Sequence, residues 1–176
     1  RLIDAGVTVF KIEGRARSAE YVRVVSSCYD EAVNAVLDGT YSAEKIKGWM
    51  ERLARVFNRG FWDGYYLGQK LGEWNTGYGS AATKRKVYLG RVTNYFTKLG
   101  VAEIKIENGS LSRGDTILII GPTTGVVEYT VNEIRVNLND SAAAEKGEYC
   151  SIPSPGYLRR SDKVYRWVDS EDLKKQ

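Results

Sequence analysis

Val7-Thr8-Val9-Phe10-Lys11-Ile12, closed by Glu13-Gly14-Arg15, is a near-continuous apolar run ending in charged groups. It is too short for a helix and lacks the alternation of a half-wet antiparallel strand. Such a run suits a parallel strand covered on both faces. Before it, Leu2 to Ala5 reads as the end of a helix stopped by Gly6 in the position just past the C-cap. After it, Ser18 is a plausible N-cap with Glu20 favourably placed in the first turn. The helix that follows carries Val22, Val25, Tyr29, Ala32, Val33 and Val36 along one stripe and stops at Asp38-Gly39. Helix–strand–helix is one unit of a parallel α/β architecture, and one strand cannot make a sheet. Its neighbours are expected upstream. The first residue is Arg1 and the single methionine is Met50, so the chain reads as processed or as a piece of something longer.

A second helix is expected from about Ser42 to Phe57, with Ile46, Trp49, Met50, Leu53, Val56 and Phe57 on its apolar face. Lys45, Lys47, Arg52, Arg55 and Arg59 make much of the rest basic. Asn58-Arg59-Gly60 then leads into the rings Phe61, Trp62, Tyr65 and Tyr66. These rings either pack the element onto another domain or, with the arginines, form a site where nucleobases stack. Positions 68–86, rich in glycine and ending in Lys84-Arg85-Lys86, read as a linker. The charge also changes there: residues 1–86 hold 14 Lys/Arg against 10 Asp/Glu, and residues 87–176 hold 12 of each.

From Val87 the period becomes two. Ala102, Ile104 and Ile106 alternate with Glu103, Lys105 and Glu107, as in a strand with one wet face. Strands are expected near 87–96, 100–107, 115–120, 126–136, 148–153 and 163–168, with turns at Asn108-Gly109 and Gly121-Pro122. Six short strands spaced for hairpins predict a small antiparallel barrel, whose closure would remove exposed edges. The fold class is therefore α+β: a βα remnant and helices over 1–67, a linker over 68–86, and an antiparallel β-barrel over 87–176.

Composition narrows the chemistry. The chain has no histidine, which excludes a Ser-His-Asp triad, a Cys-His dyad or a His-ligated metal within it. Cys28 and Cys150 stand far apart and build neither a zinc ribbon nor an iron–sulfur cluster by themselves. No apolar stretch approaches the roughly 18 residues of a membrane span, and no signal peptide opens the chain. Two unpaired-looking cysteines without an export signal favour a reducing, cytoplasmic setting and no membrane partner.

Two stretches resemble the collagenase-like peptidase family U32. Phe10-Lys11-Ile12-Glu13-Gly14-Arg15, followed by Ser18 and Glu20-Tyr21-Val22, is similar to the end of that family's catalytic domain. Asn58-Arg59-Gly60-Phe61 and Gly64-Tyr65 are similar to a segment that follows it. Gly90-Arg91-Val92, Ala102-Glu103-Ile104, Leu111 with Gly114-Asp115, and Ile120-Gly121-Pro122 resemble the family's C-terminal domain, itself similar to the second domain of translation elongation factors. These last residues are expected to build the fold and do no chemistry. The resemblance covers roughly residues 3–168. It implies an upstream α/β barrel as partner, a peptide, tRNA or rRNA substrate, and an iron–sulfur cluster or metal held upstream, with no cofactor in the chain itself. Some members of the family resemble peptidases of unknown catalytic type, and others resemble RNA-hydroxylation factors.

Functional groups of a parallel barrel gather at the carboxyl ends of its strands. The candidate catalytic residues are therefore Glu13, Arg15 and Lys11, as an electrostatic or substrate-orienting group or as a structural ion pair. Candidate substrate-binding residues are Arg59, Phe61, Trp62, Tyr65, Lys84, Arg85 and Lys86. Cys28 and Cys150 read as buried, inert thiols. The expected role is to close a catalytic site carried upstream and to position a macromolecular substrate. The alternatives are part of an RNA-hydroxylation factor or a binding module without catalysis.

Overall fold

The structure, a computed structural model, describes residues 1–61 and 79–171. Trp62, Tyr65 and most of the expected linker lie outside the described residues. The chain divides into two compact units, Arg1–Ala82 and Thr83–Gln176.

The first unit is built on two helices, α1 (Ala19–Leu37) and α2 (Ala43–Arg55). Leu2 to Ala5, expected as the end of a helix, forms only a turn, and that turn and the end of α1 close alike. Gly6, at φ +83°, donates its N–H to the Ile3 carbonyl while Val7 donates to Leu2. Gly39, at φ +68°, repeats the pattern with Val36, and Thr40 donates to Ala35. Both are Schellman closures that use glycine's access to the left-handed region and satisfy the last carbonyls. Ser42 caps α2 by accepting the Lys45 N–H at 3.3 Å. Ser18 occupies the N-cap of α1 in extended conformation, but its side chain accepts no capping bond.

Cys28 and Ala35 of α1 pack on Trp49 of α2, flanked by Val24, Ala32 and Leu53. Small residues on α1 leave room for the indole. Glu31 fixes the pair, accepting from Trp49 Nε1 at 3.0 Å and from Arg52 Nη1 at 2.5 Å. The face that α2 covers is thus rotated from the expected stripe. Val25 of that stripe is buried, but Val22 and Tyr29 stay exposed.

The expected parallel strand is not formed. Val7–Ile12 lies between turns and joins no ladder among the described residues, and Val9 is 80% exposed. A strand is defined by its partner, and an apolar run without one keeps its side chains in water.

The second unit is an antiparallel sheet. Its strands are β1 (Lys84–Phe96), β2 (Val101–Ile106), β3 (Ser110–Ser112), β4 (Thr116–Gly121), β5 (Gly125–Thr130), β6 (Ile134–Val136), β7 (Asn139–Ser141), β8 (Ala143–Glu145), β9 (Tyr149–Pro153) and β10 (Lys163–Asp169). Eight of them run in the order β5-β4-β10-β1-β2-β9-β6-β7, and β3 pairs with β8 separately. One core unites both sheets, with Leu89, Val92, Ile104, Ile106, Leu111, Ile117, Ile119, Ile134, Ala144, Ile152, Leu158 and Val164 all essentially sealed from solvent. Among the described residues no ladder joins the outermost strands β5 and β7, so the hydrogen-bonded ring expected of a closed barrel is not completed. The β7 edge is only three residues long and polar, which blunts it against further pairing.

Glycines mark where the backbones crowd. At the β1 irregularity between Tyr88 and Gly90, a Cβ on Gly90 would meet the Lys105 carbonyl oxygen at 1.9 Å. Asp115 Oδ2 accepts the Ser112 N–H at 2.8 Å, closing the turn that contains Gly114.

Lys84, Arg85 and Lys86, expected in the linker, open β1 and pair with β10 in the register Lys84↔Asp169, Arg85↔Val168 and Lys86↔Trp167. As strand residues they alternate faces and do not form one cluster.

Candidate substrate-positioning site

Lys11, Glu13 and Arg15 are all exposed. The Glu13 carboxylate turns back on its own loop, accepting the Arg15 backbone N–H at 2.9 Å. Among the described residues it makes no ion pair with either cation. Gly14 explains the tightness of this turn, because a Cβ there would touch Val22 Cγ2 at 3.0 Å. Arg17 donates its N–H to the Gly14 carbonyl at 3.0 Å and thereby leaves the turn towards α2.

The Arg17 guanidinium lies 4.0 Å from the centroid of the Phe57 ring and 5.7 Å from that of Tyr21. Arg59 approaches the same Phe57 ring at 6.0 Å. All three distances fall within the range where a cation gains from the ring quadrupole. Together with Met50 and Phe61 these groups line a concavity of about 650 Å³. Among its described lining residues there is no carboxylate, thiol, serine or threonine. The arrangement can hold a planar or anionic group.

Asn58 builds the segment that carries Arg59 and Phe61. Its Nδ2 donates to the Ala54 and Val56 carbonyls at 3.3 and 3.0 Å, covering orphan acceptors at the end of α2. Its Oδ1 accepts the Gly60 N–H at 3.1 Å, and its carbonyl accepts the Ala81 N–H at 2.8 Å. Arg59 and Phe61 of the sequence candidates are thus brought together. Arg17, Tyr21 and Phe57 join them, a set the sequence reading had not assembled. The one available signal was Tyr21 in the motif after Ser18, four residues from Arg17.

The remaining candidates lie in the second unit. Lys84 pairs with Asp169 at 3.2 Å, and Lys86 sits 5.1 Å from the Tyr165 ring centroid. Arg85 is exposed.

Both thiols are buried. Cys28 Sγ lies 3.9 Å from the Trp49 carbonyl oxygen, and burial raises its pKa. Burial pushes the Cys150 thiol up to about 12. Cys28 lies in the first unit and Cys150 in the second. Among the described residues no group of three or more acidic or cysteine side chains is placed to hold a metal, and no helix is long and apolar enough to cross a membrane.

Comparison with known proteins relates the chain to a family. Residues 1–76 match the model of peptidase family U32. A Porphyromonas gingivalis protein named collagenase is 56% identical over 172 residues, which is 98% of this chain and 42% of that protein. The tRNA hydroxylation protein P of Haemophilus influenzae is 26% identical over 149 residues, covering 84% of this chain and 31% of that protein. The crystallised C-terminal domain of a Geobacillus thermoleovorans protein described as a U32 peptidase aligns with 44% of this chain and 96% of its own, at 18% identity and a TM-score of 0.43. The chain therefore spans less than half the length of the curated relatives it matches. With the family match on residues 1–76 and 56% identity across nearly its whole length, the chain belongs to peptidase family U32.

Proposed function

We propose that these residues form the substrate-positioning portion of a collagenase-like U32 protein, closing a catalytic site supplied by a further α/β domain. The observation that carries this reading is the Arg17–Phe57–Arg59 cluster, a recognition surface whose described lining residues include no carboxylate, thiol, serine or threonine. The exposed apolar run Val7–Ile12 supports a covering domain with strands of its own, because such a run gains most from burial between parallel neighbours. In this reading the iron–sulfur cluster or metal, if the protein uses one, belongs to that domain, and the protein works in the cytoplasm. The sheet unit acts as a translation-factor-like accessory module. Uniform binding energy contributed away from the reacting atoms shows in KM before kcat.

The test is steady-state kinetics of the full-length protein on a fluorogenic collagen-like peptide. Arg17→Ala and Phe57→Ala are expected to raise KM about fivefold, the equivalent of about 1 kcal/mol of cation–ring contact, with kcat within about twofold. Unchanged KM in both variants, or full activity from the 176-residue chain alone, would overturn the reading.

A second reading, positioning of tRNA for hydroxylation, is favoured by the same rings and guanidiniums and by the Haemophilus influenzae relative. Retention of tRNA by the full-length protein, weakened by Arg17→Ala and by added salt, would select it over the peptide.

A further inference from the structure

We infer that the sheet unit carries a separate binding surface for single-stranded nucleic acid, where Tyr157, Tyr95 and Arg159 meet. This site rests on residues of the second unit only and does not depend on the reading of the Arg17–Phe57 concavity.

The loop 154–161 follows β9 and is tied to the β1–β2 turn at one end and to β1 at the other. Ser154 donates its N–H to the Gly100 carbonyl, and Ser161 donates to Val92, both at 2.9 Å. Leu158 is fully buried and anchors the loop in the core. Its neighbours Tyr157 and Arg159 point outward, Tyr157 with 55% of its surface exposed. The ring is nevertheless held in place. Tyr95 meets it edge-to-face with centroids 4.9 Å apart, and the Arg159 guanidinium lies 5.0 Å from its centroid.

Arg159 is positioned by hydrogen bonds and makes no direct ion pair among the described residues. Its Nη1 donates to Thr124 Oγ1 at 3.3 Å, and its backbone N–H donates to Asp162 Oδ2 at 2.8 Å. The Thr124 hydroxyl donates to that same Asp162 oxygen at 2.6 Å. A buried carboxylate thus organises the guanidinium through an intermediary and forms no ion pair with it. Among the described residues Lys98, Arg159 and Arg160 make no ion pair, and all three are exposed. Segments 93–102 and 154–161 contain these three cations and no aspartate or glutamate. The nearest acids in sequence are engaged: Asp162 as described, and Glu103 by the Thr93 hydroxyl at 2.5 Å.

An open aromatic ring with an exposed guanidinium against it, in segments that also carry Lys98 and Arg160, complements a base with its phosphate. Acidic peptides would use the cations alone and leave the ring idle, so the ring selects a nucleobase. A duplex hides its base faces, and an unpaired strand offers them.

The test is fluorescence anisotropy of the 176-residue chain with labelled 12-nucleotide single-stranded RNA and DNA, the matching duplex and polyglutamate, at two salt concentrations. One or both single strands bind, and their relative affinity assigns the natural source as RNA or DNA. Tyr157→Ala weakens binding at least about fivefold, within the range of one lost stacking contact, and Tyr157→Phe retains it. The logarithmic salt slope is about −2, as three phosphate contacts on a single strand require. Circular dichroism confirms that both variants fold. No single-strand binding at low salt, equal affinity of Tyr157→Ala and the parent chain, or duplex and polyglutamate binding as tightly as the single strands would each overturn the inference.

Discussion

Gly121 and Asp162 occupy adjoining space so closely that a single methyl group on Gly121 would sit 1.8 Å from Asp162 Oδ1. The carboxylate is 2% exposed and holds the Thr124 hydroxyl and the Arg159 N–H together. Gly121→Ala forces this short, bonded side chain to move and is expected to destabilise the sheet unit by about 1–3 kcal/mol, the usual cost of overpacking. Asp162→Ala, which leaves two donors without their acceptor, is expected to cost about 2 kcal/mol or more. Urea denaturation followed by the β-sheet circular dichroism signal measures both. Parent-like midpoints would show that the carboxylate does not hold this corner.

The Glu31 bridge makes the helix pair sensitive to acid. The hydrogen bond from Arg52 lowers the Glu31 pKa, with Trp49 adding to it against the opposing effect of burial. A carboxyl whose folded-state pKa is depressed contributes stability above its unfolded value, and that stability is lost as pH falls through the folded pKa. Glu31 is 45% exposed and Arg52 35%, so solvent screening limits the contribution to about 0.5 kcal/mol. Glu31→Gln should therefore be less stable than the parent at neutral pH by about that amount, and the two should converge in acid once the pH has fallen through the depressed folded-state pKa of Glu31. Parallel urea titrations read by helical circular dichroism at both pH values decide it; a difference that persists in acid would assign the bridge a purely steric role.

The cysteines predict a chemical-labelling pattern. Burial raises both thiols, Cys150 to about 12, so neither supplies thiolate at neutral pH. The native chain should resist iodoacetamide over hours and react at two positions once denatured. Labelling of Cys28 alone under native conditions would show that α1 and α2 separate locally.

What could be read from sequence tracks the range of the forces involved. Gly6 and Gly39 were legible because a Schellman closure is decided within six residues. The long strands were legible because period-two burial repeats along the chain, as in the alternating Ala102, Ile104 and Ile106. The strands β3, β7 and β8, three residues each, are too short to show a period. The cations of Lys84–Lys86 masked the start of β1, whose pairing partner Asp169 stands at the far end of the unit. The Arg17–Phe57 contact joins two turns flanking a helix pair, and only the packing of Cys28 and Ala35 on Trp49 brings them together. The ladder expected at Val7–Ile12 was a statement about neighbours, and no reading of that segment alone can supply them.

That segment also governs how the polypeptide behaves in a tube. From Thr8 to Ile12 the peptide groups make no backbone hydrogen bonds among the described residues, and the side chains beside them are greasy and open to water. Two such ribbons from different molecules satisfy one another by strand addition, so self-association should rise with protein concentration and fall when Val9 is replaced by lysine.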